Sequence, residues 1–318
     1  MEQPPRSSLR VSLPPEGRVS AFGRSGGTDM ATTETWRQLS AEELERGYNA
    51  RATVPDVDAL LRDYREQSAP MYALPCVRDI AYGPHPDERL DLFPVPGHSN
   101  APLFVFVHGG YWRALGKEDS VFMARCFTQR GIAVASLNYA LSPGASLGEI
   151  VAQCQRALGW LHSHAGAHGI NGGHMVLAGS SAGGHLAAMM LSPPAQRAQG
   201  VRAGAVRGAV LVSGLFDLEP VQATRPNDWL GLDVATARAL SPLRHLPDPT
   251  TPLCVAVAGI DTDEFKRQSW LYADACAAQG NPVVRLDVPG RNHFDVILDW
   301  MDPDSALSRA TWPLFDAA

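Results

Sequence analysis

The chain has 318 residues, 45% of them hydrophobic, and a formal net charge of −6 from 27 basic and 33 acidic side chains. This length and hydrophobic content allow one large domain with a sizeable core, and the lack of any basic run argues against nucleic-acid binding. No apolar stretch reaches the ~18 residues of a membrane-spanning helix. We therefore expect the chain to bind neither nucleic acid nor membrane.

The N-terminal region differs in composition from the rest of the chain. Residues 1–30 are rich in Pro, Ser, Arg and Gly and lack the apolar segment of a signal peptide, so we expect a disordered extension. Residues 31–318 are expected to form a single domain, because no strong linker divides residues 75–318. Five cysteines without a Cys-x-x-Cys pair are typical of reduced thiols in a cytoplasmic protein.

Hydrophobic periodicity predicts two helices in residues 34–68, with a capping box at Ser40–Glu43, and then two strands in residues 76–95. The further predicted strands are residues 102–107, 132–137, 174–178, 206–212, 252–258 and 282–288, and the helices between them are residues 118–130, 146–163 and 184–191. The proline-rich residues 219–246 predict a small cap. Strands alternating with helices indicate an α/β fold with a mostly parallel sheet covered on both faces. The two early strands are expected to form its antiparallel edge.

A first candidate motif, His108-Gly109-Gly110-Tyr111-Trp112, follows the buried strand at residues 102–107. Two glycines let the backbone turn its N–H groups toward a ligand without interference from a Cβ atom. Serine hydrolases build an oxyanion hole on such a loop, together with the amide after the nucleophile. The predicted donors are the N–H groups of Gly109, Gly110 or Tyr111, together with Ala182. His108 is predicted to fix the loop by hydrogen bonding rather than to act as a base.

The second motif, Gly179-Ser180-Ser181-Ala182-Gly183, stands between a strand-like and a helix-like run. Gly-x-Ser-x-Gly in this context is typical of a nucleophile elbow, a sharp turn that pushes the serine hydroxyl out of the backbone. An ordinary Gly/Ser turn would use similar residues. The motif at residues 108–112 favours the nucleophile elbow over such a turn. Ser181 is the candidate nucleophile.

An acid and a histidine follow the serine in the chain order expected of this arrangement. Asp261 comes three residues after the end of the strand at residues 252–258, and His293 lies in the loop after the last strand. We expect His293 to act as the base and Asp261 to orient its imidazole. Asp263 is the alternative acid, although it is more typical of the start of the next helix.

Three histidines, His162, His164 and His168, raise the question of a metal site. They fall at a predicted helix end and lack the spacing of a zinc signature. We expect neither a metal nor a cofactor.

The motifs at residues 108–112, 179–183 and 261–269, with the segment Leu44–Asn49, resemble the α/β-hydrolase kynurenine formamidases (arylformamidases). That family is related to the hormone-sensitive-lipase-like esterases. The resemblance extends from about residue 35 to the C-terminus. Its discriminating parts are the aromatic pair after His-Gly-Gly and the Glu-Phe-x-Arg-Gln-Ser run. It implies an α/β-hydrolase fold with Ser181 as nucleophile, Asp261 as acid and His293 as base.

The resemblance also implies a reaction, the hydrolysis of an N-formyl arylamine such as N-formylkynurenine through a formyl-enzyme. The aryl group then needs an apolar slot, for which the candidate lining residues are Tyr111, Trp112, Phe216, Trp229 and Phe294. A carboxylesterase acting on small aryl or short-acyl esters would use the same machinery. A remote alternative is a non-catalytic hydrolase-fold protein that binds a small ligand. A homodimer is common for hydrolases of this kind.

Overall fold

The computed structural model describes residues 35–316, so the disorder expected of residues 1–30 lies outside the described residues. Its framework is an eight-stranded sheet in the order β1-β2-β4-β3-β5-β6-β7-β8. The strands are β1 (Val77–Ala81), β2 (Arg89–Phe93), β3 (Ala101–Val107), β4 (Ala133–Leu137), β5 (Ile170–Ser180), β6 (Val206–Val212), β7 (Leu253–Ala258) and β8 (Val283–Val288). β1 and β2 are antiparallel, as predicted, and β2 also pairs antiparallel with β4. The remaining pairs, from β4 through β3 to β8 in the sheet order, are parallel.

The helices connect and flank these strands. They are α1 (Ala41–Gly47), α2 (Val57–Ser68), α3 (Ala124–Gln129), α4 (Leu147–His164), α5 (Ala182–Met190), α6 (Pro193–Ala198), α7 (Glu219–Gln222), α8 (Asn227–Leu230), α9 (Val234–Ala239), α10 (Asp263–Gln279), α11 (Ala306–Thr311) and α12 (Pro313–Asp316). The predicted capping box of α1 is present, since the Ser40 hydroxyl accepts from the Glu43 N–H and the Glu43 carboxylate accepts from the Ser40 N–H. No helix in residues 35–316 is long and apolar enough to cross a membrane.

The helix predicted for residues 118–130 is shorter than expected. Only Ala124–Gln129 is α-helical, and a 3-10 turn over Lys117–Asp119 precedes it. The buried Lys117 ammonium donates to the Asp91 carboxylate at 3.1 Å, and this long-range contact holds the segment against β2. An ion pair between distant elements therefore overrides the local helical pattern.

The sheet is buried on both faces, which explains why its central strands are continuous apolar runs. Along β3, Leu103, Val105 and Val107 enter the core cluster on one face, and Phe104 and Phe106 enter the cluster on the other. Because the strands from β3 to β8 run in the same direction, their carboxyl ends lie at one edge of the sheet, where loops from different strands meet. Residues 219–246, which include α7, α8 and α9, reach this edge through Trp229, whose indole N–H donates to the Tyr111 carbonyl at 3.1 Å.

Candidate active site

Ser181 stands in a strained turn between β5 and α5, with φ 56° and ψ −123°. The turn requires its two glycines. A Cβ atom at Gly179 would lie 2.2 Å from the Gly183 carbonyl oxygen, and one at Gly183 would lie 2.0 Å from that of Val107. The Ser181 N–H donates to the Val212 carbonyl at 2.9 Å. The fold thus holds Ser181 in a backbone conformation with positive φ, and strain of this kind is typical of functional turns.

The loop after β3 lies directly against this turn. A Cβ atom at Gly109 would lie 2.8 Å from the Ser180 carbonyl oxygen, and one at Gly110 would lie 2.2 Å from that of Ala114. Gly110 has φ 97°, and the next two residues, Tyr111 and Trp112, also have positive φ values of 52° and 55°. Within residues 35–316, no backbone or side-chain oxygen accepts from the N–H groups of Gly109, Gly110 or Ala182. These donors are therefore available to a ligand beside Ser181.

Asp261 and His293 come from the ends of β7 and β8 and meet at this edge. The Nδ1 atom of His293 lies 2.7 Å from Oδ1 of Asp261, and both side chains are buried. The phenyl ring of Phe265 packs against the imidazole with 4.5 Å between ring centroids. The arrangement leaves Nε2 of His293 for chemistry, because Nδ1 is occupied by the carboxylate.

The Asp261 carboxylate is held in its charged form. Burial alone would raise its pKa, but the pKa is lowered because the His293 charge and hydrogen bonds from His293, Ser213 and the Ala258 N–H outweigh burial. The Ser213 hydroxyl and the Ala258 N–H both donate to Oδ2. A buried, ionised carboxylate of this kind can stabilise an imidazolium.

Asp263, the alternative acid, is the first residue of α10 and follows the helix N-cap Thr262. A carboxylate is favourable there because it complements the helix dipole. The structure pairs His293 with Asp261 instead.

The loop that carries His293 is fixed by its neighbours. The Tyr64 hydroxyl of α2 donates to the Phe294 carbonyl at 2.5 Å. The Asn292 N–H and side-chain amide donate to the Asp295 carboxylate at 2.7 and 2.8 Å. Ser181 and His293 line the same cavity, although no hydrogen bond joins these two side chains; such bonds often tighten only when substrate is bound.

That cavity has a volume of about 480 Å³. Three of the five aromatic residues predicted to line it do so: Tyr111, Trp229 and Phe294. The prediction was wrong for Trp112 and Phe216. The indole of Trp112 is fully buried and lies edge-on to His185. Phe216 is fully buried and stacks on Tyr272 with 4.4 Å between centroids.

Charged side chains also line the cavity. Arg113 and Arg225 are exposed there and form no ion pair within residues 35–316, whereas Arg51 pairs with Asp58 at 2.9 Å. The Arg113 guanidinium lies 4.7 Å from the ring centroid of Trp229. Glu45 supplies a carboxylate, which accepts from the Arg225 N–H at 2.8 Å. The cavity can therefore bind a ligand that is both aromatic and charged.

His108 faces away from this chemistry, as the sequence predicted. Its Nδ1 lies 2.9 Å from the Gly109 carbonyl oxygen, and burial lowers its pKa to about 4. The neutral imidazole thus donates within its own loop. Of the three histidines considered for a metal site, His162 makes a local contact, with its Nδ1 atom 2.7 Å from the Gly172 carbonyl oxygen. In the described part of the chain, no group of side chains is arranged to hold a metal ion.

Sequence reasoning missed Ser213, Tyr64 and Tyr48. Ser213 directly follows β6, the strand next to β7, and this position at the catalytic edge was the one available signal. Tyr64 lies in α2 and Tyr48 directly follows α1, both before the sheet in the chain. The Tyr48 carbonyl accepts from the Tyr111 hydroxyl at 2.5 Å. Such contacts depend on how the N-terminal helices pack, which local patterns do not encode.

Comparison with known proteins gives matches across most of the chain. The BD-FAE family model matches residues 90–256. A kynurenine formamidase from Danio rerio is 31% identical over 292 residues, which are 86% of this chain and 96% of that protein. One from Drosophila melanogaster is 32% identical over 223 residues, covering 66% of this chain and 72% of that protein.

Solved structures show the same fold. A protein from Silicibacter sp. tm1040, named as a candidate thioesterase, superimposes with a TM-score of 0.73 at 32% identity over 84% of this chain and 98% of that one. An esterase from Pyrobaculum calidifontis has a TM-score of 0.65 at 20% identity, covering 91% and 99%. These likenesses confirm the predicted α/β-hydrolase fold.

Proposed function

The chain belongs to the kynurenine formamidase family, and from this premise we propose that it hydrolyses N-formylkynurenine, or a closely similar N-formyl arylamine, to the arylamine and formate. It is a serine hydrolase acting on a small molecule. The single observation that carries the proposal is the convergence of Ser181, the His293–Asp261 pair and unpaired backbone donors on one aromatic cavity.

In the first step Ser181 attacks the formyl carbon. A bond forms between its Oγ atom and that carbon, and its proton passes to Nε2 of His293. The carbonyl oxygen becomes an oxyanion, and the N–H groups of Gly109, Gly110, Tyr111 and Ala182 are the donors proposed to stabilise it. One such donor contributes about 3–4 kcal/mol to lowering the barrier.

In the second step the C–N bond breaks as His293 returns the proton to the arylamine nitrogen. The formyl group remains as an ester on Ser181. His293 then takes a proton from water, the hydroxide attacks the ester carbon, and formate leaves as Ser181 regains its proton. Asp261 stays ionised throughout, which its lowered pKa supports.

The cavity supports an aryl formamide with a charged arm. A formyl group needs little room beside Ser181, whereas Tyr111, Trp229 and Phe294 offer flat faces to an aromatic ring. The amino-acid arm of N-formylkynurenine carries one carboxylate and one ammonium. Arg113 and Arg225 can meet the first, and Glu45 can meet the second.

The second candidate function is a carboxylesterase for small aryl or short-acyl esters. The observation that favours it is the structural likeness to esterases, because formamide and ester hydrolysis use the same nucleophile and oxyanion donors. The unpaired cations at the cavity rank this function below the formamidase, since a neutral ester would leave them unused.

The experiment that tests the mechanism is labelling with an aryl fluorophosphonate, followed by peptide mass spectrometry. We expect one label on Ser181, loss of activity in proportion to labelling, and protection by N-formylkynurenine. The Ser181→Ala variant is the matched control and should take no label. A label on another residue, or full activity after labelling, would contradict the assignment.

We also propose the remaining features of organisation. Residues 31–318 form one domain with residues 219–246 as a cap-like insert. The five cysteines form no disulfide, which suits the reducing cytoplasm.

A homodimer is the expected assembly, and light scattering would report a mass near twice the 34.2 kDa of the chain.

A further inference from the structure

Tyr139 lies two residues beyond the end of β4, and its buried phenol ring stacks on the imidazole of His108. The ring centroids are 4.2 Å apart and the planes differ by 9°. Because β4 pairs with β3, the two strands end side by side, and this pairing brings Tyr139 to the base of the loop that begins at His108.

The hydroxyl of Tyr139 contacts the backbone of that loop. It donates to the His108 carbonyl at 2.7 Å and lies 3.3 Å from the Gly109 carbonyl oxygen. Nδ1 of His108 is 2.9 Å from the same Gly109 oxygen. Both carbonyl groups of the loop are therefore held by side chains that do not line the cavity.

Peptide planarity links these carbonyl groups to the oxyanion donors. The C=O of one residue and the N–H of the next belong to one rigid unit and point in opposite directions. Fixing the His108 carbonyl therefore fixes the direction of the Gly109 N–H, and fixing the Gly109 carbonyl fixes that of the Gly110 N–H. The two glycines themselves restrict their backbone little, so this direction has to come from outside the pair.

We propose that Tyr139 is a positioning residue for the oxyanion hole, acting through the carbonyl groups of His108 and Gly109. The inference rests on the proposed serine mechanism and holds for a formamide or an ester substrate alike. It differs from a packing role, because the hydroxyl contributes orientation while the ring contributes the buried contact area.

The test is steady-state kinetics of Tyr139→Phe, which keeps the ring and removes the donor. We expect kcat to fall by about 10-fold to 100-fold, less than or similar to the loss of a whole oxyanion donor. The fall should be similar for N-formylkynurenine and p-nitrophenyl acetate, and KM should stay near the wild-type value. A residue that only shapes the substrate slot would change KM for one substrate.

An independent readout is the inhibition constant of an aryl trifluoromethyl ketone, which forms an oxyanion adduct with the serine. It should weaken in parallel with kcat/KM in Tyr139→Phe. The matched control is Tyr72→Phe, because the Tyr72 hydroxyl donates to the Asp91 carboxylate at 2.7 Å and the residue does not line the cavity. This control should keep the wild-type kcat.

If Tyr139→Phe does not fold, 4-fluorophenylalanine at position 139 fills more of the space of the hydroxyl and still cannot donate, and the same fall in kcat is expected. An unchanged kcat, a change confined to KM, or an equal fall in Tyr72→Phe would overturn the inference. A wild-type protein without formamidase activity would instead count against the proposed function, and the ester assay would still test Tyr139.

Discussion

The Ser213 hydroxyl donates to Oδ2 of Asp261, while Oδ1 of the same carboxylate lies 2.7 Å from Nδ1 of His293. The carboxylate is thus bound on both sides by buried groups. Ser213 adopts φ 47°, and its N–H donates to the Ala256 carbonyl at 2.8 Å. The strand end at β6 therefore orients the acid that the strand end at β7 supplies.

Ser213→Ala should lower kcat by about 10-fold to 100-fold, because a hydrogen bond to a charged group contributes about 1.5–3 kcal/mol. The loss is expected in kcat rather than KM, since Ser213 does not line the cavity. Ser269→Ala removes another buried hydroxyl, one in α10, and should leave kcat unchanged. Equal kinetics for Ser213→Ala and the wild type would show that Asp261 is oriented without this bond.

Asp261→Asn should be far more damaging than Asp263→Asn. The amide cannot stabilise the imidazolium and leaves the imidazole in the wrong tautomer, which costs about 10⁴ in kcat in serine proteases. Asp263→Asn changes only a residue in the first turn of α10, so its kcat should stay within a few-fold of the wild type. The reverse order of kcat values would transfer the role to Asp263.

The double variant Arg113→Gln and Arg225→Gln should raise KM for N-formylkynurenine by several-fold, up to about 30-fold, because exposed ion pairs each contribute up to about 1 kcal/mol. Hydrolysis of neutral N-formylaniline should not change. Arg51→Gln is the control, since that guanidinium already pairs with Asp58. Equal effects on the charged and the neutral formamide would refute recognition of the amino-acid arm.

Stability should fall in mild acid because of two buried histidines. Burial lowers the pKa of His108 and of His185 to about 4, against about 6.5 in an unfolded chain. Between these values the unfolded state binds more protons, so stability is complete above about pH 6.5 and is lost as pH falls toward 4. Each histidine contributes a slope of up to about 1.4 kcal/mol per pH unit.

Urea unfolding at pH 7, 6 and 5 measures this slope. The His185→Gln variant should show a smaller slope than the wild type, because one of the two groups no longer titrates. His98→Gln is the control, since the His98 side chain is exposed. A slope unchanged by His185→Gln would mean that His185 titrates alike in both states.

The sequence predicted the parts of the site that depend on local backbone geometry. The glycines around Ser181 and at Gly109–Gly110 are needed for close approach, and such requirements are visible in a short motif. Asp261 and His293 could also be predicted, because both lie in loops that follow predicted strands. The sheet order beyond the antiparallel edge was not predictable, because it depends on packing between distant helices and strands.

The aromatic lining could be predicted only in part for the same reason. Trp112 stands between two residues that line the cavity, yet its indole is buried in the core against His185. Phe216 and Ser213 are three residues apart, but only the second contacts the Asp261–His293 pair. Which side chain of a loop faces a cavity depends on backbone dihedral angles and long-range contacts that composition does not report.

The most direct measurement is kcat/KM for N-formylkynurenine beside p-nitrophenyl acetate, with Ser181→Ala as the control. A value above about 10⁴ M⁻¹s⁻¹ for the formamide is expected, with a loss of roughly 10⁴-fold to 10⁶-fold in the control. Weak formamide turnover with rapid ester turnover would contradict the formamidase and favour the esterase. Activity retained by Ser181→Ala would contradict the serine mechanism itself.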